Sequence, residues 1–174
     1  MIEAILVVIF AATALLWFPY VTQTTKTGAP FVPMEPDVVE RVINLAQIKP
    51  GEVFYDLGSG DGRLVIAAAM RGARAYGVEI DFLRVWYSRA WLKLLRFKNA
   101  QIIRKNIFEV DLSGADVVCL YLLQETNEKI QAKLKKELKP GTRVVSVAFT
   151  FPGWKPVKVD PRGTVYGPIY LYRI

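Results

Sequence analysis

The apolar positions of this chain fall into two alternating rhythms. Short, nearly continuous apolar runs read as strands, and longer stretches with apolar residues three and four apart read as helices. In order, Glu52-Val53-Phe54-Tyr55 predicts a strand, residues 63–70 a helix, and residues 73–78 a second strand ending at an acid, Glu79. A helix over 82–97, a strand over 101–104 and a loop over 106–111 come next. Residues 115–122 are apolar almost throughout, as in a strand covered on both faces of a parallel sheet. A helix over 125–138 and a strand over 142–149 follow. Upstream, Val38, Val39, Val42, Ile43, Leu45 and Ala46 give one apolar face to a helix over 37–48, stopped by Lys49-Pro50-Gly51. The last part differs. Residues 154–159 and 164–173 are aromatic and β-branched on either side of Asp160-Pro161-Arg162-Gly163, which predicts a hairpin. Five parallel strands alternating with helices and closed by an antiparallel hairpin make a seven-stranded, Rossmann-like α/β sheet.

The N-terminus follows neither rhythm. From Ala4 to Thr25 there is no charge, and residues 5–18 are almost wholly apolar. About 18 to 20 such residues just cross a hydrocarbon core of roughly 30 Å. Trp17, Phe18 and Tyr20 gather at its far end, where aromatic residues favour the headgroup interface. The segment is expected to be a membrane-anchor helix over residues 1–21. Glu3 in place of a basic residue argues against a cleaved signal peptide. The first base beyond the segment is Lys26, which places the following domain in the cytoplasm. Residues 22–36, rich in Thr, Gly and Pro, read as a linker and a loop leading to the site, with the catalytic domain over 37–174.

The chemistry is concentrated where the first strand meets its helix. Asp56-Leu57-Gly58-Ser59-Gly60-Asp61-Gly62 forms a glycine turn between strand and helix, and Glu79 ends the next strand. That layout presents backbone N–H groups and a helix N-terminus to a nucleotide, with the acid on a ribose. The spacing is not that of a dinucleotide site, because Arg63 stands where the third glycine belongs. Asp56 and Asp61 would repel a pyrophosphate. They suit a ligand with a ribose, an ammonium, a sulfonium and no phosphate, which is S-adenosylmethionine. On that cofactor the sheet becomes the class I methyltransferase architecture.

Ligands of an open parallel sheet bind at the carboxyl ends of its strands. That rim gathers residues 56–62, 79–81, 106–108 and 121–125. Glu79 is expected to accept both ribose hydroxyls, and Asp56 with the Gly58 and Gly60 backbone to hold the methionine moiety. Asn106 is expected to reach the adenine edge, with Ile80 or Ile107 packed on the ring. A turn that Asn106 closes for itself is the competing reading.

The chain's charge of +7 comes from 23 Lys and Arg against 16 Asp and Glu. The bases are spread along two predicted helices, Arg84, Arg89, Lys93, Arg96 and Lys98 on one, and read as solvated faces. No basic run with interleaved aromatics marks an RNA groove, so nucleic acid is not an expected partner. The single cysteine, Cys119, lies in an apolar run and reads as core. No metal site is expected.

Several segments together resemble one family. They are Phe31-Val32-Pro33 with Pro36-Asp37-Val38-Val39, the glycine loop with Tyr55 and Arg63, Gly77-Val78-Glu79-Ile80-Asp81, and Leu120-Tyr121-Leu122-Leu123. The chain from Phe31 onward is similar to the archaeal broad-specificity protein lysine methyltransferases. The same resemblance takes in the mitochondrial enzymes that methylate lysine on ATP synthase and on the adenine nucleotide translocase. It implies a protein lysine as acceptor, on a substrate that includes membrane proteins, and cofactor contacts from Pro33, Ser59, Asp61, Gly62 and Tyr121. It departs at Met34-Glu35, where a small polar residue would stand beside the cofactor.

Lysine must be neutral to attack the methyl group. With an unperturbed pKa near 10.4, only about one amine in 2,500 is neutral at pH 7, an offset of roughly 4.6 kcal/mol. The chain has no histidine, so the usual base near neutrality is absent. Desolvation in an apolar channel and repulsion by the sulfonium both depress the amine's pKa. Phe31, Tyr121, Phe149, Phe151 and Trp154 are expected to converge on that channel, with Phe31, Phe149 and Trp154 lining it, and Tyr121 or Glu125 to orient the amine or take its proton through water. Two other readings remain: an RNA or small-molecule methyltransferase on the same fold, or a membrane-bound module that holds the nucleoside without turnover.

Overall fold

The computed structural model describes residues 31–164 and 167–174, and Pro33–Ile174 forms one compact unit. The expected anchor over 1–21 lies outside the described residues, as does most of the linker. Among the described residues no helix is long and apolar enough to cross a membrane.

The elements run α1 (Pro36–Ala46), β1 (Val53–Leu57), α2 (Arg63–Met70), β2 (Arg74–Glu79), α3 (Phe82–Leu94), β3 (Ala100–Arg104), β4 (Val117–Leu120), α4 (Gln124–Glu137), β5 (Arg143–Val147), β6 (Lys158–Thr164) and β7 (Gly167–Arg173). The sheet order is β3-β2-β1-β4-β5-β7-β6. The first five strands are parallel, β7 runs antiparallel beside β5, and β6 pairs with β7 at the edge. Strand order reverses between β1 and β4, so the crevice for a ligand opens above those two strands.

Alternation sorts the core onto two faces. Phe54, Val117, Cys119, Val145 and Val147 pack with α1, α2 and α3 in one cluster. Cys119 is buried there, and burial holds its thiol well above the usual range, which makes it inert packing. Val118, Leu120, Val144 and Ser146 alternate with those residues and are also buried, and Ser146 accepts a hydrogen bond from Asn127 of α4 on the opposite face. Helix α1 begins with Pro36, whose missing N–H costs nothing at a first helical position, and carries Asp37 in its first turn.

Several boundaries depart from expectation, two of them for identifiable reasons. Helix α3 stops at Leu94, because Arg96 takes a left-handed backbone with φ of 58°. Asp160-Pro161-Arg162-Gly163 is not the hairpin turn but lies within β6, at a shift of register against β7 between Asp160 and Thr164. The Asp160 carboxylate accepts from the Arg162 backbone and guanidinium and from Arg41 Nε of α1 at 2.9 Å. That anchorage draws the local loop of hydrogen bonds into the strand as a bulge.

Candidate functional site

Strand β1 runs two residues beyond its expected end and carries Asp56 into the sheet, in register with Gly77 of β2 and Cys119 of β4. Asp56 is buried, and no full cation faces it among the groups that set its pKa. Burial, then the neighbouring Asp61 and Glu79 carboxylates, push it up to about 8. At neutral pH it therefore keeps its proton unless a positive charge is brought beside it.

Glu79 closes β2 and works first on the backbone. Its Oε2 accepts from Gly60 N–H at 2.9 Å, and its Oε1 accepts from Ile80 and Asp81 N–H at 2.9 Å each. Arg84, expected on a solvated helix face, is instead buried with its Nη1 3.7 Å from Glu79 Oε1. It occupies the inward stripe of α3 with Val85, Ser88 and Leu92, which is where the helical spacing places it. Glu79 thus ties glycine loop, strand end and helix together, and its less occupied Oε2 keeps a lone pair for a ribose hydroxyl.

The loop itself is folded back on β2. Gly58 and Ser59 N–H both donate to Val78 C=O, at 2.8 and 3.0 Å, and Gly62 N–H donates to Ser59 C=O at 2.8 Å. Gly62 has φ of 83°, and a Cβ there would meet Ser88 Cβ at 3.0 Å, so only glycine lets α2 start this close to α3. Gly77 serves a neighbour: a Cβ on it would stand 2.6 Å from Ser59 Oγ. The Ser59 hydroxyl is buried there without a hydrogen-bond partner.

Asp61 is already engaged. Arg63 Nε donates to both its oxygens, at 2.9 and 3.0 Å, and Nη1 of the same guanidinium donates to Met34 C=O. Asp61, expected to contact the cofactor, carries a bridge through which Arg63 pins the Pro33–Pro36 approach to the glycine loop. Pro33 is exposed at the head of that segment, and Met34 is buried in the core rather than open to a ligand. Asn106 Oδ1 accepts from Phe108 N–H at 3.1 Å, closing its own turn, which leaves the amide's donors for an adenine ring nitrogen. Ile107 is half-buried and Ile80 exposed on the same rim.

Above β4 and β5 the character changes. Tyr121 follows β4, half-buried and packed against the core, and Leu122 beyond it approaches Gly58. After β5 the chain turns at Ala148, with φ of 69°, and presents half-buried Phe149. The Phe149 carbonyl accepts from Ser146 Oγ at 2.6 Å and from Asn127 Nδ2 at 3.4 Å. This buried Asn127–Ser146–Phe149 chain escaped sequence reading, although Asn127 sits three residues before Ile130 on the inward face of α4.

On the acceptor side two expected residues meet protein partners, and a third lies outside the compact unit. Trp154 is a packing residue, its ring 4.7 Å from Phe151 and 5.6 Å from Tyr172. Glu125 turns to solvent, receives Lys129 Nζ at 2.6 Å, and is held below the usual carboxylate range by it, which makes it a poor base. Phe31 falls outside the Pro33–Ile174 unit, so no channel position is assigned to it.

The arrangement fits a cationic nucleoside: a buried carboxylate short of a positive charge, a second carboxylate braced by backbone N–H groups, and, among the described residues, no basic cradle for phosphate. Comparison with known proteins agrees. The model of the ANTKMT methyltransferase domain matches residues 56–158. A protein-lysine N-methyltransferase of Saccharolobus islandicus is 43% identical over 155 residues, covering 83% of this chain and 93% of that protein. The adenine nucleotide translocase lysine N-methyltransferase of Mus musculus is 37% identical over 142 residues, covering 80% of this chain and 61% of that longer protein. A Salinibacter ruber structure described as an RNA methyltransferase in complex with S-adenosyl-L-homocysteine superposes with a TM-score of 0.77 at 39% identity. It covers 82% of this chain and 94% of that one.

Proposed function

The chain belongs to the ANTKMT methyltransferase domain family and is an S-adenosylmethionine-dependent methyltransferase, and from that premise we propose that it methylates lysine side chains of proteins. The observation that carries this reading is the 43% identity, over 83% of this chain, to a protein named as a protein-lysine N-methyltransferase.

When bound, the cofactor supplies an electrophilic methyl group on a sulfonium. Asp56 then holds the positive end of the methionine moiety, and Glu79 Oε2 a ribose hydroxyl. Gly58 and Gly60 bring backbone close to the ligand. Asn106 and Ile107 receive the adenine. On the acceptor side, Tyr121 and Phe149 exclude water from the approaching amine and so depress its pKa, the route left open by a chain without histidine. Tyr121 orients the amine.

Transfer of radiolabelled methyl to a protein extract, followed by amino-acid analysis, tests the acceptor. Methyl-lysine is the expected product. The Salinibacter neighbour, described as an RNA methyltransferase, favours RNA as the second reading. Label that ribonuclease removes would establish that one instead.

We also propose that the uncharged stretch from Ala4 to Thr25 anchors the enzyme to a membrane, with the catalytic domain in the cytoplasm. A chain starting at Thr27 is expected to stay soluble and bind cofactor; loss of either would make the segment part of the fold.

A further inference from the structure

Helix α3 buries only a narrow stripe, Arg84, Val85, Ser88 and Leu92, toward β2 and β3. Its opposite face, which ought to be polar on a surface helix, is apolar as well. Leu83, Trp86, Tyr87 and Leu94 lie at i, i+3, i+4 and i+11, with Ala90 between them at i+7, so they share one side of the helix. They are 55%, 65%, 46% and 70% exposed. Isolated exposed leucines are ordinary, but a continuous aromatic and aliphatic stripe marks an interaction surface.

Charge identifies the occupant. Residues 82–108 hold seven Lys and Arg and no Asp or Glu. Lys93, Arg96, Lys98, Arg104 and Lys105 among them are exposed. The Arg104 guanidinium lies 5.4 Å over the Phe82 ring, which fixes a cation at the border of the apolar face. An apolar stripe with tryptophan and tyrosine, flanked by cations and with no acid between Asp81 and Glu109, has the composition of a helix lying in an anionic bilayer interface. Single-stranded RNA fits it poorly, since leucines on a convex helix offer no stacking platform.

We infer that the outward face of α3 rests on an anionic membrane surface, with Leu83, Trp86 and Leu94 at the acyl–headgroup boundary and the flanking cations at the lipid phosphates. Helix α3 begins three residues after Glu79. The contact therefore holds the rim of the sheet at the membrane–water boundary. It does not depend on which acceptor the enzyme uses.

The test uses the full chain with an environment-sensitive fluorophore on Trp86→Cys, and on Lys139→Cys as an exposed control beyond α4. Cys119 is buried and stays unlabelled in the folded protein. Each protein is mixed with vesicles of phosphatidylcholine and phosphatidylglycerol whose acyl chains carry bromine as a quencher. The probe at position 86 should shift to the blue and be quenched several-fold more than the probe at 139. Neutral phosphatidylcholine vesicles, or adding Leu83→Gln and Leu94→Gln, should remove most of that difference. Equal quenching at the two positions, or none at either, would overturn the inference. So would a response at 86 that depends on protein concentration without lipid, which assigns the face to a second copy, or one elicited by RNA and not by vesicles.

Discussion

The two halves of the sheet rim are built on opposite plans. Above β1 and β2, carboxylates are buried against main chain: Glu79 holds three backbone N–H groups, and the glycine loop donates twice to Val78. Above β4 and β5, half-buried Tyr121 and Phe149 stand at the rim, and the buried polar groups beside them are neutral, Asn127 and Ser146 propping the Phe149 carbonyl. A cation that must be bound and a cation that must be discharged call for these two environments. The first half lowers the energy of positive charge with carboxylates. On the proposed reading the second raises it by removing water, which turns an ammonium into a nucleophile.

The largest expected effect is on the first half. Glu79→Ala removes one carboxylate beside the buried Arg84 and frees three backbone N–H groups. Stability should fall by about 3–5 kcal/mol, and S-adenosylhomocysteine should bind about 30-fold or more weakly. Chemical denaturation and calorimetric titration read the two numbers. A stable variant with unchanged affinity would remove Glu79 from the site. On the second half, Trp154→Ala should lower stability by about 2–3 kcal/mol, scaled down from a full core deletion because the ring is half-buried, with cofactor affinity unchanged. A loss of turnover at unchanged stability would return Trp154 to the channel. Tyr121→Phe should cost about tenfold in kcat with little change in cofactor affinity, because an amine-orienting hydroxyl acts mainly in the transition state. Equal losses of binding and turnover would move Tyr121 to the cofactor side. The smallest effect belongs to Glu125→Ala. Its solvated pair with Lys129 predicts an unchanged melting temperature and unaltered turnover, measured by thermal melts and initial rates.

The same contrast explains what could be read from the chain. The cofactor half was legible because its logic is local. A strand, a glycine turn and an acid 19 residues after Gly60 meet through backbone hydrogen bonds that any such sequence must make. The class of fold and the family were legible for the same reason, and the comparisons agree with both. Even there, pairing shifted roles, since Asp61 went to Arg63, and Asn106 closed its own turn before offering anything to a ligand. The acceptor half was less legible because aromatic residues serve core and channel alike. Whether Trp154 faces Phe151 or a substrate is decided by the hairpin's register. The bulge at Asp160 that sets the register depends on Arg41, 119 residues away. Arg84 and Glu125 were misjudged through helix phase, one turned inward and the other outward within otherwise solvated runs.

The account rests most heavily on Asp56 as a carboxylate awaiting a cation. Its pKa of about 8 in the fold exceeds the usual 3.8, so the folded apoprotein binds a proton that the unfolded chain has lost across that interval. Its contribution to stability should therefore be full below about pH 4 and decline as pH rises toward 8. Cofactor binding should reverse the preference and expel the proton. The direct measurement is calorimetric binding of S-adenosylmethionine at pH 7 in two buffers of different ionisation enthalpy. The account predicts release of about one proton per cofactor bound, absent in Asp56→Asn. Identical binding enthalpies in the two buffers for the unaltered protein would contradict it.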